Sequence, residues 1–168
     1  MNAAAVLQLL HAVRTQRPVS DEAIRHGLAS VQLAGRFQYI EEDVPVLLDV
    51  AHNPQSVKIL AEYLRQEFAG RRIHAVFAIM RDKDIVSVVS HIKDVINRWY
   101  LAPLRIPRAA TEQHLSEVLS ELSVTGFEAG FADAPAAFAA ARQNAQNGDL
   151  IVVFGSFFLV SEFLAQAA

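Results

Sequence analysis

Apolar positions follow two different patterns along the chain, and the change between them comes near residue 37. Before it, "NAAAVLQLLHAV" is apolar almost all round. Val6, Leu7, Leu9, Leu10 and Val13 predict a helix over residues 2–14 that wants burial on more than one side. Ser20 reads as the N-cap of a second helix, with Val19 and Ile24 at the two positions of a hydrophobic staple. That helix runs out between Gly27 and Ser30. From residue 37 onward, strand-like runs alternate with helical stripes. "FQYIEE" alternates, whereas "PVLLDVA", "RIHAVFAIM" and "DLIVVFGSF" are continuously apolar, as strands covered on both faces are.

The helices between these runs carry their own punctuation. Pro54 opens one whose face is Val57, Leu60, Ala61, Leu64 and Phe68, and Gly70 ends it. Asp82 or Asp84 caps the next, with Ile85, Val88, Val89, Ile92 and Ile96 as its stripe. "RWYLAPL" follows as a strand, Thr111 caps "TEQHLSEVLSELS", and "GFEAGF" offers a short edge strand. Asp133 and Pro135 open an Ala-rich helix that stops at Asn147-Gly148, and a closing helix runs through Phe163. This alternation predicts an α/β fold: a three-layer, Rossmann-like, mostly parallel sheet with helices on both faces, preceded by two helices. The domain boundary falls between residues 1–33, a helical appendage with its linker, and residues 34–168.

Composition narrows the function classes. At 168 residues, 52% apolar and 20% charged, the chain supports a globular domain with a real core. A net charge of -3, with only Arg71 and Arg72 adjacent among the cations, argues against a nucleic-acid partner. There are no cysteines, which excludes thiolate metal sites and thiol nucleophiles. No apolar run reaches membrane-spanning length, and no secretory signal opens the chain, so a soluble cytoplasmic protein without a membrane partner is expected. No G-x-x-x-x-G-K-[ST], G-x-G-x-x-G or G-x-S-x-G occurs, and the histidines lack metal-ligand spacing, so no metal site is expected from these residues.

The unusual polar residues stand at the carboxyl ends of the predicted strands, where open α/β sheets take ligands. Asp49 and "AHNP" follow the second strand, "RDKD" the third, "APL" the fourth and "GSF" the last. Each has a structural alternative. Asp49 either bonds the amides of the following turn or serves a site. Asn53 is a helix N-cap with Pro54 at the first helical position. His52 and Arg36 read equally as turn and surface residues, Lys83 as a solvated partner of its neighbouring aspartates, and Ser156 as a cap.

"LDVAHNPQS" resembles the D-x-A-H-N-P signature of the folylpolyglutamate synthase and dihydrofolate synthase family, the folate branch of the Mur-type ligases. "LAGRFQ" resembles its L-P-G-R-F-[QE] segment, with Ala34 in place of the usual proline, and "MRDKDI" its M-x-D-K-D segment. "WYLAPLRIPRAAT" and "VFGSFFLVSEFL" resemble two further segments in the same order, so the likeness spans nearly the whole chain. The resemblance implies an ATP-dependent ligase that joins L-glutamate to dihydropteroate or to the γ-carboxyl of a folate through an acyl phosphate. It implies ATP and magnesium, the latter held mainly on an N-terminal ATPase domain, of which residues 1–33 are the tail.

Carried over residue by residue, the resemblance puts Asn2, Arg36 and Asp49 at ATP. It puts His52 and Ser156 at glutamate or at closure. The fragment alone is expected to be inactive. The alternative reading is a standalone nucleotide- or small-molecule-binding module. A hydrolase built on Ser156, His52 and Asp49 lacks its nucleophile elbow.

Overall fold

The computed structural model describes residues 2–31 and 33–166, except for the side chain of Asn2. They form two compact units, divided between Leu33 and Ala34. The first holds α1 (Asn2–Val13) and α2 (Asp21–Ser30). Ser20 caps α2 by accepting the Ala23 N–H at 3.1 Å. Val6, Leu7 and Leu9 of α1 stay exposed, and no residue of α2 is buried. Among the described residues, the apolar faces of α1 are therefore covered only in part, at Leu10 and Val13.

The second unit is a six-stranded sheet in the order β1-β2-β6-β3-β4-β5. The strands are β1 (Gln38–Ile40), β2 (Val46–Asp49), β3 (Ile73–Phe77), β4 (Arg98–Leu101), β5 (Phe127–Glu128) and β6 (Leu150–Phe154). All pairs are parallel except β1 with β2, whose antiparallel ladder sets Tyr39 against Leu47. The helices are α3 (Pro54–Glu67), α4 (Ile85–Ile92), α5 (Glu112–Glu121), α6 (Ala134–Asn144) and α7 (Phe157–Gln166).

The continuous apolar runs form central strands because each successive side chain buries on the opposite face. Leu47, Ala75, Phe77, Trp99 and Val152 pack under α3, α4 and α5. Leu48, Val76, Tyr100, Ile151 and Val153 pack under α6 and α7. Fully burying one such Leu or Val contributes about 1.5–3 kcal/mol. "FQYIEE" contributes only three residues of strand, at the sheet edge, where one side of the ladder is open.

At the amino ends of the strands lies a buried polar chain. His74 is fully buried; its Nε2 stands 3.1 Å from Asp149 Oδ2 and its Nδ1 3.2 Å from the Tyr100 hydroxyl. Desolvation lowers the His74 pKa, outweighing the pull of Asp149, so the ring is neutral. In that state Nε2–H donates to Asp149, and Nδ1 accepts the Tyr100 hydroxyl.

Candidate functional site

β2 and β6 run side by side, with Asp49 level with Phe154. Beyond their carboxyl ends the chain diverges, to α3 on one face of the sheet and to α7 on the other. Such a divergence opens the crevice in which doubly wound sheets take ligands. Three segments meet there: residues 35–37 before β1, residues 49–53 from the last residue of β2 onward, and residues 155–157 after β6.

Asp49 is only 2% exposed, and both of its oxygens are engaged. Oδ2 accepts the Phe37 N–H at 3.0 Å, and Oδ1 accepts the Ala51 N–H at 2.7 Å. Burial pushes its carboxyl above the ordinary aspartate value, against the opposing pull of those two amides and of Arg36. Of the two roles open to Asp49 in the sequence, the bonding of turn amides is therefore present, and it extends to a segment twelve residues upstream.

That upstream segment is tightly seated. The Gly35 carbonyl accepts the Val50 N–H at 2.8 Å. Gly35 has φ 67°, and a Cβ there would stand 2.9 Å from Val50 Cγ1 and 3.0 Å from Val160 Cγ1, so only glycine fits. Phe37 also has positive φ, 44°, which costs about 1–3 kcal/mol for a non-glycine residue and persists only when its surroundings impose it. Here the Asp49 bond and an edge-on contact with Tyr63, ring centroids 4.7 Å apart, do so. Arg36 stands between these two anchored residues and is exposed, its Cζ lying 5.7 Å from the Phe157 ring centroid.

His52 lies on the same aromatic ring, with centroids 6.1 Å apart. Its Nδ1 is 2.8 Å from the Val50 carbonyl, an acceptor only, which puts the proton on Nδ1 and leaves Nε2 with a lone pair in the neutral ring. Asn53 then caps α3: its Oδ1 accepts the Ser56 N–H at 2.9 Å, and the Ser56 hydroxyl accepts the Asn53 N–H at 3.3 Å. Pro54 is the first residue of that helix. Ser56 thus completes a capping box that the sequence pattern did not single out.

After β6 the chain turns at Gly155, with φ 104°. A Cβ there would sit 2.5 Å from the Ala78 carbonyl oxygen and 2.7 Å from the Phe77 ring. The backbone of β6 is thereby pressed against the end of β3, which swings Ser156 inward and Phe157 outward. Ser156 is buried, and its Oγ accepts the Phe158 N–H at 3.1 Å in the first turn of α7. Phe157 is 53% exposed.

The structure thus brings Arg36, Asp49, His52 and Ser156 to the carboxyl ends of the neighbouring strands β2 and β6, with Asn53 and Pro54 starting the adjoining helix. The side chain of Asn2 lies outside the described residues. Lys83 stands 3.5 Å from Asp82, which also takes Arg108 at 3.2 Å; all are part of the loops after β3 and β4. The Arg108 hydrogen bond holds the Asp82 carboxyl below its ordinary range. A cavity of about 550 Å³ opens beside those loops, lined by Arg81, Leu104, Ile106, Thr111 and His114 among others, and none of Arg36, Asp49, His52 or Ser156 lines it. Among the described residues, no group of three His, Asp or Glu side chains is placed to hold a metal ion.

Phe37 and Phe157 escaped the sequence reading. The signal for Phe157 is the doubled phenylalanine after "GS", which places an aromatic residue outside the buried stripe of α7.

The family described as Mur ligase, glutamate ligase domain, matches residues 35–157. The dihydrofolate synthase/folylpolyglutamate synthase of Escherichia coli (strain K12) is 37% identical over 163 residues, covering 97% of this chain and 37% of that protein. The solved structure of Escherichia coli FolC in complex with DHPP and ADP aligns with a TM-score of 0.87 at 36% identity, over 99% of this chain and 38% of that one. A bifunctional folylpolyglutamate synthase/dihydrofolate synthase solved with Mn, AMPPNP and L-glutamate bound aligns with a TM-score of 0.86 at 37% identity, over 99% of this chain and 39% of that one. The chain therefore spans well under half the length of these relatives.

Proposed function

We propose, from the premise that this chain belongs to the glutamate ligase domain family of the Mur ligases, that it is the C-terminal domain of a longer ATP-dependent ligase. That enzyme joins L-glutamate to dihydropteroate or to the γ-carboxyl of a folate. The acceptor carboxylate attacks the γ-phosphorus of ATP, and ADP leaves. The glutamate amine then attacks the acyl carbon of the acyl phosphate, the C–O bond to phosphate breaks, and the nitrogen loses a proton. The single observation that supports this reading most is the 37% identity over 97% of the chain to a dihydrofolate synthase/folylpolyglutamate synthase.

On this reading, Arg36 offers an exposed guanidinium to charge that develops on the transferred phosphoryl group. Asp49 keeps the segment carrying Arg36 seated on the strand end through the Phe37 amide. Asn2 meets ATP from the side of the ATPase domain, whose tail is residues 1–33. His52 and Ser156 serve glutamate binding or closure. Magnesium, for which the described residues have no donor cluster, belongs with the phosphate-gripping domain.

The test is ADP release by the enzyme that carries this chain, with ATP, magnesium, L-glutamate and either dihydropteroate or a tetrahydrofolate. Release should depend on both glutamate and the pteridine. The 168-residue chain alone should give none, because its sequence contains no P-loop. An in-frame stop codon directly ahead of Met1 would overturn the proposal, and tight ATP binding by the isolated chain would favour a standalone nucleotide-binding module.

A further inference from the structure

Arg36 makes no side-chain hydrogen bond or salt bridge among the described residues, although its charge acts on Asp49 from a distance. The structure still gives its side chain a definite seat. Its backbone is held on both sides, by the Gly35 carbonyl bonded to Val50 and by the Phe37 N–H bonded to Asp49. Its guanidinium lies over the ring of Phe157, Cζ to centroid 5.7 Å. Phe157 lies outside the buried stripe of α7, which is Leu159, Val160 and Phe163, and is half exposed. An aromatic ring left in solvent at the first position of a helix does little for the core. This one carries Arg36 above it and His52 beside it, centroids 6.1 Å apart.

We propose that Phe157 is a positioning residue for Arg36, a shelf that holds the guanidinium extended into the crevice; the catalytic consequence rests on the ligase reading above. A quadrupolar ring face attracts a cation without offering it an acceptor, so all five N–H donors of the guanidinium stay free for an anion. A carboxylate in the same place would hold Arg36 more strongly but would occupy those donors. The seat is built from two ends of the chain: Gly155 sets the turn that exposes Phe157, and Asp49 sets the loop that presents Arg36.

The experiment is a double-mutant cycle in the full-length enzyme, with Arg36→Ala, Phe157→Leu, both together, and Phe157→Tyr. Phe157→Leu should lower kcat and kcat/KM equally by about two- to fivefold, the size of an exposed cation–π contact, with KM for glutamate unchanged. Phe157→Tyr should restore the rate. In the Arg36→Ala background, Phe157→Leu should add no further loss, because the ring then has nothing to position. An equal loss in both backgrounds, or a leucine variant as fast as the parent, would overturn the proposal.

A second arm does not depend on the ligase reading. In the 168-residue chain, the Arg36 Nε–Hε NMR cross-peak should move in Phe157→Leu and stay near its place in Phe157→Tyr. A peak that ignores both substitutions removes the shelf even if ligation is confirmed. Absence of ligation in the parent enzyme refutes the ligase reading and leaves this arm to decide the contact.

Discussion

Replacing Gly155 by alanine tests the contact on which the site's geometry depends. The position has φ 104°, and the added methyl would meet the Ala78 carbonyl oxygen at 2.5 Å and the Phe77 ring at 2.7 and 2.9 Å. Neither neighbour has room to retreat. Ala78 follows β3 directly, and the Phe77 ring is fully buried against Trp99 and Phe154, centroids 5.5 and 4.8 Å away. Gly70 supplies the control, since it also has positive φ, 81°, but its Cβ would meet nothing within 4 Å. Gly70→Ala therefore isolates the backbone strain, about 1–2 kcal/mol. Gly155→Ala adds an overpacking cost of about 1–3 kcal/mol to a similar strain.

The two variants should therefore separate by about 1–3 kcal/mol in urea unfolding, or roughly 2–12 °C in Tm for a chain of this size. Trp99 is the only tryptophan and is fully buried in the sheet unit, so its fluorescence reports that unit alone. Equal midpoints for Gly70→Ala and Gly155→Ala would show that β6 does not approach β3 as described. The seat of Ser156 and Phe157 would then have to be redrawn.

Asn53→Ala removes the acceptor for the Ser56 amide at the start of α3 and should cost about 1 kcal/mol; an unchanged midpoint would deny the cap. Asp49→Ala leaves the Phe37 and Ala51 amides without their acceptors and should destabilise the sheet unit by about 2–5 kcal/mol, read by the same fluorescence. Neutral His74 is favoured by the fold, so the unfolded chain binds more protons as pH falls below the ordinary histidine value of 6.5. Stability should fall on that acid side by up to about 1.4 kcal/mol per pH unit, and a His74→Gln variant should lose that slope. Asp149, drawn below its ordinary 3.8 by the Gln146 amide and His74 despite desolvation, adds a further loss only at still lower pH. In the full-length enzyme, Arg36→Ala should depress turnover by about tenfold or more, and parental turnover would remove it from the site.

Most of the secondary structure was readable from the chain alone because its causes are local. Short, nearly continuous apolar runs bounded by turn residues read as strands covered on both faces. The helix starts at Ser20, Asn53, Thr111 and Asp133 follow from side chains that reach amides two or three residues on, and each is the observed cap. Where two aspartates competed for one start, the structure chose Asp84, whose carboxylate accepts the Ser87 N–H at 3.1 Å, while Asp82 turned to Arg108.

The order of strands was not readable. β6 inserts between β2 and β3, pairing Ile151 with Val46 and Leu150 with Ile73, far apart along the chain, and no local pattern encodes which buried strand a buried strand will choose. That insertion decides the site, because it brings Gly155–Phe157 beside Asp49–His52 and makes the chain diverge there. The sequence could place a carboxylate, an imidazole and a guanidinium at strand ends. Only the folded chain could show that both Asp49 oxygens go to backbone amides and that Arg36 rests on an aromatic ring, because such partners are chosen by distance in space, which chain order does not measure.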